Sequence, residues 1–325
     1  MMDRPSGFSQ AALLLLFSCG ASCGPVIEVT DAHPLPAHLL KRRGQVSTLR
    51  RGDLQFELFL PEAWDPAASA PVLVFLHGRG ESGGFDVTNA QSLPLQLLTN
   101  KSFAATFPFI AVIPQCPAQC AHANYWLPTT LQSITALLRE WVLSDGPQQP
   151  RLGGDRARVH LAGQSMGGHG AWLYAAQQPR LFAAVVVVCG YAQGHREAKT
   201  FAERLARSRP AVAIYHSEDD SVIPVQSSDA MAAALKAAGY DADGGNASPG
   251  SGRLPLKYVR YLQAPGPPMP EFAHLIGHGS YELAFRDAGL YSWLLSQSCQ
   301  RCSVRPPAPW LPLHAGAATE ELRVR

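Results

Sequence analysis

The chain has 325 residues, of which 46% are hydrophobic and 16% are charged, and its formal net charge is +2 at pH 7. This length is enough for one large domain with a sizeable core. The small net charge and the lack of long basic blocks in the sequence give no basis for predicting nucleic-acid binding.

The first 24 residues have the outline of a secretory signal peptide. A short apolar core at residues 11–17 (AALLLLF) is followed by small residues at 18–22. This core is too short to span a membrane, so we expect cleavage, export and no transmembrane span. Residues 16–19 also resemble a bacterial lipobox, which would make Cys19 the lipidated residue of an anchored lipoprotein. Retention of the segment on a cytoplasmic protein is the third alternative.

Cysteine spacing supports an exported protein. Cys189 ends an apolar run and is expected to be a buried thiol. Four cysteines form two close pairs, Cys116 with Cys120 and Cys299 with Cys302, which fit loop disulfides. A zinc site made of the same four cysteines is the alternative, although their spacing is loose for it. We otherwise expect no metal and no cofactor.

Strand and helix patterns alternate along the chain. Alternating segments within residues 44–60 indicate antiparallel leading strands. Continuous apolar runs are typical of strands buried on both faces, and they occur at residues 71–76, 107–114, 182–188 and 210–215. Helical spacing of apolar residues predicts helices at 90–98, 129–143, 199–207, 227–238 and 282–295, and residues 256–262 alternate like an edge strand. The pattern predicts an α/β fold with a mainly parallel central sheet and helices on both faces.

Two stretches do not fit this alternation. Residues 240–253 (YDADGGNASPGSGR) are polar and rich in Gly, which indicates a surface insertion of undefined role. Residues 301–325 are rich in Pro and Ala and are expected to be a disordered C-terminal tail.

A strand, a tight turn and a helix are predicted around Ser165. Residues 158–162 have strand character, residues 163–167 (GQSMG) fit the pattern G-x-S-x-G, and residues 168–178 have helical spacing. This is the context of a nucleophile elbow, in which a sharp turn lifts the serine hydroxyl to the top of the sheet. The flanking glycines let the strand and the helix close together. A Gly-rich turn without catalytic function is the alternative.

A serine nucleophile needs a base and a carboxylate that orients the base. In this architecture the acid and the histidine follow the serine in that order, on loops after later strands. The sequence supplies HSEDDSVIP at residues 216–224 and GHGSY at residues 277–281. We therefore assign Ser165 as the nucleophile, His278 as the general acid and base, and Asp220 as the orienting carboxylate.

Several ordered motifs carry a family resemblance, namely LHGRGESGG, PQC ahead of a Trp, DRARVHLAGQSMGG and HSEDDSVIP. The chain resembles α/β-hydrolases of the esterase and predicted-peptidase type, which include carboxylesterases, feruloyl-esterase-like proteins and secreted depolymerases. The resemblance covers roughly residues 54–295, with Ser217 and Ile223 standing where the family usually has Gly and Val. It implies an α/β-hydrolase catalytic domain at residues 25–300.

The resemblance also implies where an oxyanion would be stabilised. One backbone N–H would come from Met166, directly after the nucleophile, and the other from Arg79 in the Gly-rich loop after His77. His77 itself is expected to brace this loop. Trp126 either lines the substrate pocket or packs over the core, and both readings remain open here.

Three adjacent acids compete for the role of orienting His278. The family-like spacing places the acid four residues after His216 and four before Pro224, which favours Asp220 over Asp219 and Glu218. His216 is expected only to end its strand.

The predicted function is a serine hydrolase that cleaves carboxylic esters through an acyl-enzyme intermediate. A serine peptidase with the same triad is the alternative, because acyl-enzyme chemistry serves both reactions. A non-catalytic binding module of the same fold is the third reading. The expected ligand is a small-molecule or polymeric ester, and the sequence does not indicate whether the protein has partner proteins. The loops at residues 116–128, 190–200 and 263–276 would shape the pocket.

Overall fold

A computed structural model describes residues 26–30, 39–84, 92–143, 152–241, 254–299 and 302. The predicted signal peptide with Cys19, the insertion beyond residue 241, and the predicted tail except Cys302 lie outside these residues.

The described residues form a ten-stranded sheet at the centre of the molecule. Its strands in spatial order are β1 (Ile27–Glu28), β2 (Val46–Arg51), β3 (Leu54–Phe59), β5 (Ile110–Pro114), β4 (Ala70–Leu76), β6 (Gly154–Gln164), β7 (Ala184–Val188), β8 (Ala211–Ser217), β10 (Leu254–Tyr261) and β9 (Tyr240–Asp241). Strand β3 is antiparallel to β2 and β5, and the other neighbouring pairs are parallel. The predicted fold class, including the antiparallel leading strands, is confirmed.

Helices cover both faces of the sheet. One face packs against α4 (Pro128–Leu137), α5 (Met166–Gln177), α6 (Gly194–Ser208) and α7 (Gln226–Ala237). The other packs against α1 (Ser92–Thr99), α2 (Lys101–Thr106), α8 (Ser280–Ala284) and α9 (Ala288–Leu295). A short helix, α3 (Ala118–Ala123), follows β5.

Strand β4 shows why the continuous apolar runs were informative. Val72, Val74 and Leu76 belong to one core, and Leu73 and Phe75 belong to the other. Successive side chains of a strand point to opposite faces, so a strand covered on both sides needs apolar residues at every position.

Two of the predicted helices are interrupted in the structure. The helix predicted at residues 282–295 is two helices, α8 and α9, because the Asp287 side chain accepts a hydrogen bond from Gly289 N at 2.8 Å and starts a new helix there. The helix predicted at 129–143 is α4 followed by a π-helical turn at Leu138–Val142.

Four of the five cysteines that the structure describes form two loop disulfides. Cys116 is bonded to Cys120 and Cys299 to Cys302, while Cys189 is a buried free thiol. Since each sulfur pair is already bonded, the alternative of a zinc site shared by the four cysteines is wrong. Within the described ranges, no helix has both the length and the apolar composition needed to cross a bilayer.

Candidate active site

Ser165 lies on a sharp turn between β6 and α5. Its φ of 53° and ψ of −119° are uncommon for a residue with a side chain, as expected for a strained functional turn. A Cβ on Gly163 would lie 2.1 Å from Gly167 O, and one on Gly167 would lie 2.0 Å from Leu76 O. Only glycine therefore lets the elbow close against the neighbouring backbone.

Side chains from three loops meet at this turn. His278 Nε2 lies 3.1 Å from Ser165 Oγ, and His278 Nδ1 lies 3.0 Å from Asp220 Oδ2. An ionised carboxylate only accepts hydrogen bonds, so the Nδ1–H of His278 donates to Asp220. Nε2 is then left to accept the hydroxyl proton of Ser165. The structure thus brings the three assigned triad residues together in a continuous hydrogen-bonded chain.

Asp220 is buried but surrounded by donors. Its Oδ1 accepts from Val222 N at 2.8 Å and Ile223 N at 2.9 Å, and its Oδ2 faces His216 Nε2 at 3.1 Å. Burial by itself raises the pKa of Asp220. Hydrogen bonds from His216 and His278, the charge interaction with His278 and the backbone bond from Ile223 outweigh burial and hold this pKa well below its usual range. The carboxylate is therefore ionised at neutral pH.

The two neighbouring acids point elsewhere. Asp219 Oδ1 accepts from Ala264 N at 3.1 Å and from the hydroxyl of Ser217. Glu218 forms an exposed ion pair with Arg260 at 3.3 Å. Of the three adjacent carboxylates, Asp220 is the one that faces the imidazole of His278.

The Gly-rich loop after β4 passes beside the serine. A Cβ on Gly78 would lie 3.7 Å from Ser165 Cβ. Arg79 follows Gly78 directly in the chain, as Met166 follows Ser165, and Arg79 lines the same cavity as Ser165. The Arg79 side chain extends to the neighbouring loop, where its Nε donates to Ala121 O at 2.9 Å.

His77 and Glu81 hold this loop in place. His77 Nε2 accepts from Cys116 N at 3.0 Å, which leaves Nδ1–H to donate to Gly78 O at 2.7 Å. Burial lowers the pKa of His77 to about 4 although the Gly78 bond opposes this, so the ring is neutral. Glu81 Oε2 accepts from Gly78 N at 2.8 Å. The loop next to Ser165 is thus fixed by two buried side chains.

A cavity of about 810 Å³ opens over Ser165 and His278. Its walls are mostly apolar and include Tyr191, Ile223, Pro267, Phe272 and Leu275. The hydroxyl of Tyr191 donates to Asn124 O at 2.6 Å, which ties two of the pocket loops together. A site with apolar walls and a few polar groups at one end is typical of small-molecule binding.

Trp126 does not line this cavity. Its side chain is fully buried, its Nε1–H donates to His77 O at 3.2 Å, and its ring lies 5.0 Å from the His77 ring. The expectation that Trp126 contributes to the substrate pocket is wrong, and the alternative of core packing is right. A large apolar indole is most stable where its area is buried and its N–H has an acceptor, and both conditions are met beneath the loop.

Sequence reasoning missed the roles of two polar side chains. It expected His216 only to end its strand, yet this residue contacts Asp220. Glu81 was part of a recognised motif, but its bond to Gly78 was not foreseen. The four-residue spacing from His216 to Asp220 was visible, although spacing across a strand end does not determine whether two side chains meet.

One family model matches more than half of the chain. Residues 47–241 match the Esterase family model, described as "Putative esterase". No curated protein matches the chain in sequence.

The solved structures that match the chain include two esterases and a sugar hydrolase. A thermostable esterase is 21% identical with a TM-score of 0.49, and the match covers 78% of this chain and 62% of the esterase chain. The esterase Est2 of Thermogutta terrifontis is 17% identical with a TM-score of 0.43, and the match covers 67% of this chain and 80% of Est2. A sugar hydrolase from Lactococcus lactis is 14% identical with a TM-score of 0.48, and the match covers 77% of this chain and 94% of the sugar hydrolase. This chain therefore spans about 62% of the length of the first of these proteins.

Proposed function

The chain belongs to the esterase family, and from this premise we propose that it is a serine hydrolase that cleaves carboxylic esters through an acyl-enzyme intermediate. One observation carries the proposal. Ser165 Oγ, His278 and Asp220 form a chain of hydrogen bonds of 3.1 and 3.0 Å at the floor of an apolar cavity. A hydroxyl placed on a base that a buried carboxylate orients is the arrangement that makes serine nucleophilic.

In the acylation step, Ser165 Oγ attacks the ester carbonyl carbon while its proton passes to His278 Nε2. The ionised Asp220 stabilises the imidazolium that forms. The tetrahedral intermediate then collapses, the bond to the alcohol breaks, and His278 returns the proton to the leaving alkoxide oxygen. A water molecule next gives a proton to Nε2 and attacks the acyl carbonyl carbon. The bond from this carbon to Ser165 Oγ then breaks, and Nε2 returns the proton to Oγ, which releases the acid and restores Ser165 and His278.

The developing oxyanion needs fixed donors. The backbone N–H groups of Met166 and Arg79 fill this role in the proposal, aided by the N-terminal end of α5 beneath the serine. Because His77 and Glu81 hold the Gly-rich loop through Gly78, the Arg79 amide is oriented before substrate arrives. The cost of orienting these donors is then met during folding and not in the reaction.

The substrate class follows from the cavity. An opening of about 810 Å³ with mostly apolar walls accepts a small-molecule ester or one ester group of a polymer. Amide cleavage by the same groups is the alternative reaction.

Turnover of a substrate panel tests the proposal. The panel contains p-nitrophenyl esters of increasing acyl length, acetylated and feruloylated sugars, and aminoacyl amides. We expect ester turnover that a fluorophosphonate abolishes. Turnover of amides alone would favour the peptidase, and a purified protein that neither turns over an ester nor reacts with the fluorophosphonate would be a binding module.

We also propose that the protein is exported. Two disulfides within short loops are typical of proteins that fold in an oxidising compartment. Mass spectrometry of protein from its native host is expected to find a start between about residues 19 and 25. A diacylglycerol adduct on Cys19 would establish the lipoprotein version, and a retained Met1 would contradict export.

A further inference from the structure

A second imidazole contacts the acid of the triad. His216 is the penultimate residue of β8 and is fully buried. Its Nε2 lies 3.1 Å from Asp220 Oδ2 and 2.9 Å from Ile223 O, and its Nδ1 lies 2.7 Å from Ser228 Oγ. Two separate histidines, His216 and His278, therefore approach the same carboxylate.

The partners of His216 determine which nitrogen carries its proton. Asp220 Oδ2 and the carbonyl of Ile223 are both acceptors, so Nε2 must be the donor. This N–H is shared between Ile223 O at 2.9 Å and Asp220 Oδ2 at 3.1 Å, and the same Oδ2 is the carboxylate oxygen that His278 also contacts. On the other side of the ring, Nδ1 faces the hydroxyl of Ser228.

His216 differs from the other groups that hold Asp220. The N–H donors of Val222 and Ile223 belong to the same turn as Asp220 and move with it. His216 lies in the sheet itself, where β8 pairs with β10 and His216 is opposite Arg260. It therefore connects the orientation of the carboxylate to a rigid part of the fold.

We infer that His216 is a positioning residue that fixes the Asp220 carboxylate toward His278. The inference rests on the proposed function, since it matters only if Asp220 orients the general base. His216 does not touch the reacting atoms and acts through Asp220. Its loss would let the carboxylate rotate within its turn, and misplacing a catalytic group by about 1 Å costs up to ~10²-fold in rate.

Two matched polar substitutions separate positioning from a structural role. His216→Gln places an amide N–H near the former Nε2, so it keeps a donor for Asp220. His216→Asn places its polar atoms near the former Nδ1, so it keeps a partner for Ser228 and loses the donor. Both variants keep a polar side chain in the same buried site.

The measurement is kcat and KM on one activated ester, with thermal unfolding as a check of folding. We expect His216→Gln to keep kcat within about 5-fold and His216→Asn to lower it about 10- to 100-fold, with KM little changed in both. With Asp220→Asn already present, His216→Asn is expected to cost less than about 3-fold more, because the two residues act as one unit. Where turnover is too slow to follow, the four proteins of this cycle are compared instead by their acylation rates, measured as p-nitrophenol release in single turnovers with enzyme in excess.

Several results would overturn the inference. These are equal losses in the Gln and Asn variants, better activity in the Asn variant, or the same loss from His216→Asn with and without Asp220→Asn.

If neither His216 variant folds, Ser228→Ala replaces them. We expect it to lower kcat several-fold in the wild type and to have no further effect when Asp220→Asn is already present. An unchanged kcat in Ser228→Ala would contradict the inference. An active wild type with any of these patterns rejects only the inference, whereas an inactive wild type rejects the proposed function as well.

Discussion

Two histidines buried in the central sheet have opposite surroundings. His216, at the carboxyl end of β8, has a partner at both ring nitrogens. His160, within β6, is equally buried, but neither of its ring nitrogens has a hydrogen-bond partner in the part of the chain that the structure describes. Burial is the main cause that lowers the pKa of His160 to about 3. The positive charge of Arg158 acts in the same direction, and the negative charge of Asp155 opposes it.

The difference shows how hydrogen-bond partners change what a buried histidine can do. A buried polar atom without a partner costs about 1–3 kcal/mol, whereas a paired one costs little. At the carboxyl ends of the strands, His216, Asp220 and Glu81 are paired and can hold fixed orientations or a charge. In the middle of the sheet, His160 packs edge-on against Phe109 and is only a large, poorly matched core residue. His216, Asp220 and Glu81 can thus serve the candidate site, whereas His160 only lowers the stability of the fold.

The largest effect on kcat is expected from a substitution of Asp220, the acid of the triad. Asp220→Asn should lower kcat by about 10³- to 10⁴-fold, because an amide no longer fixes the His278 tautomer or stabilises its imidazolium. Asp219→Asn is the matched control and should stay within about 3-fold, since its remaining oxygen can still accept from Ala264 N. Turnover of both variants on one activated ester decides this, and the reverse order would move the role to Asp219.

The next largest effect on kcat is expected from the backbone of the Gly-rich loop after β4. Arg79→Pro removes the N–H and is expected to cost about 10²- to 10³-fold in kcat, while Arg79→Ala keeps the N–H and is expected to cost less than about 10-fold. Proline fits locally, because the preceding Gly78 is extended with φ −76° and ψ −177°. Equal losses in two well-folded variants would show that the side chain matters and that the amide does not.

The smallest effect is on stability at the unpaired histidine. The pKa of His160 is about 3 in the folded protein and about 6.5 when unfolded, so the unfolded chain binds more protons between these values. Stability therefore falls as the pH drops through this window, by about 2 kcal/mol between pH 7 and pH 5 from this residue alone.

His160→Leu should remove this contribution. The variant is expected to be about 1 kcal/mol more stable at pH 7 and to lose about 2 kcal/mol less than the wild type on going to pH 5. Urea unfolding at the two pH values measures both quantities. An identical pH dependence in the two proteins would mean that His160 is not buried as a neutral ring.

The sequence was most informative where local pattern and local structure coincide. The elbow at Ser165 was predictable because close packing demands glycine at Gly163 and Gly167 and leaves a short, recognisable string. The strands of the parallel sheet were predictable because burial on both faces demands uninterrupted apolar residues. The assignment of Asp220 followed from spacing between two marked ends of one motif.

Contacts between distant segments were not predictable in the same way. Nothing near Trp126 in the sequence indicates that its indole N–H donates to His77 O, 49 positions earlier. The break between α8 and α9 depended on whether Asp287 would cap a helix or lie within one, and both are compatible with the apolar spacing of residues 282–295. The contact of His216 with Asp220 required knowing how the turn after β8 folds back.

Ser165 is the proposed nucleophile of the triad, and covalent labelling of this residue is the most direct test of that role. Wild-type protein and Ser165→Ala are treated with a fluorophosphonate, digested and mapped by mass spectrometry, with matched thermal unfolding to show that both are folded. We predict one stoichiometric adduct on Ser165 of the wild type. In Ser165→Ala we predict no labelling and a loss of about 10⁴- to 10⁶-fold in the rate of ester turnover. An adduct on a different residue, or undiminished labelling of Ser165→Ala, would contradict it.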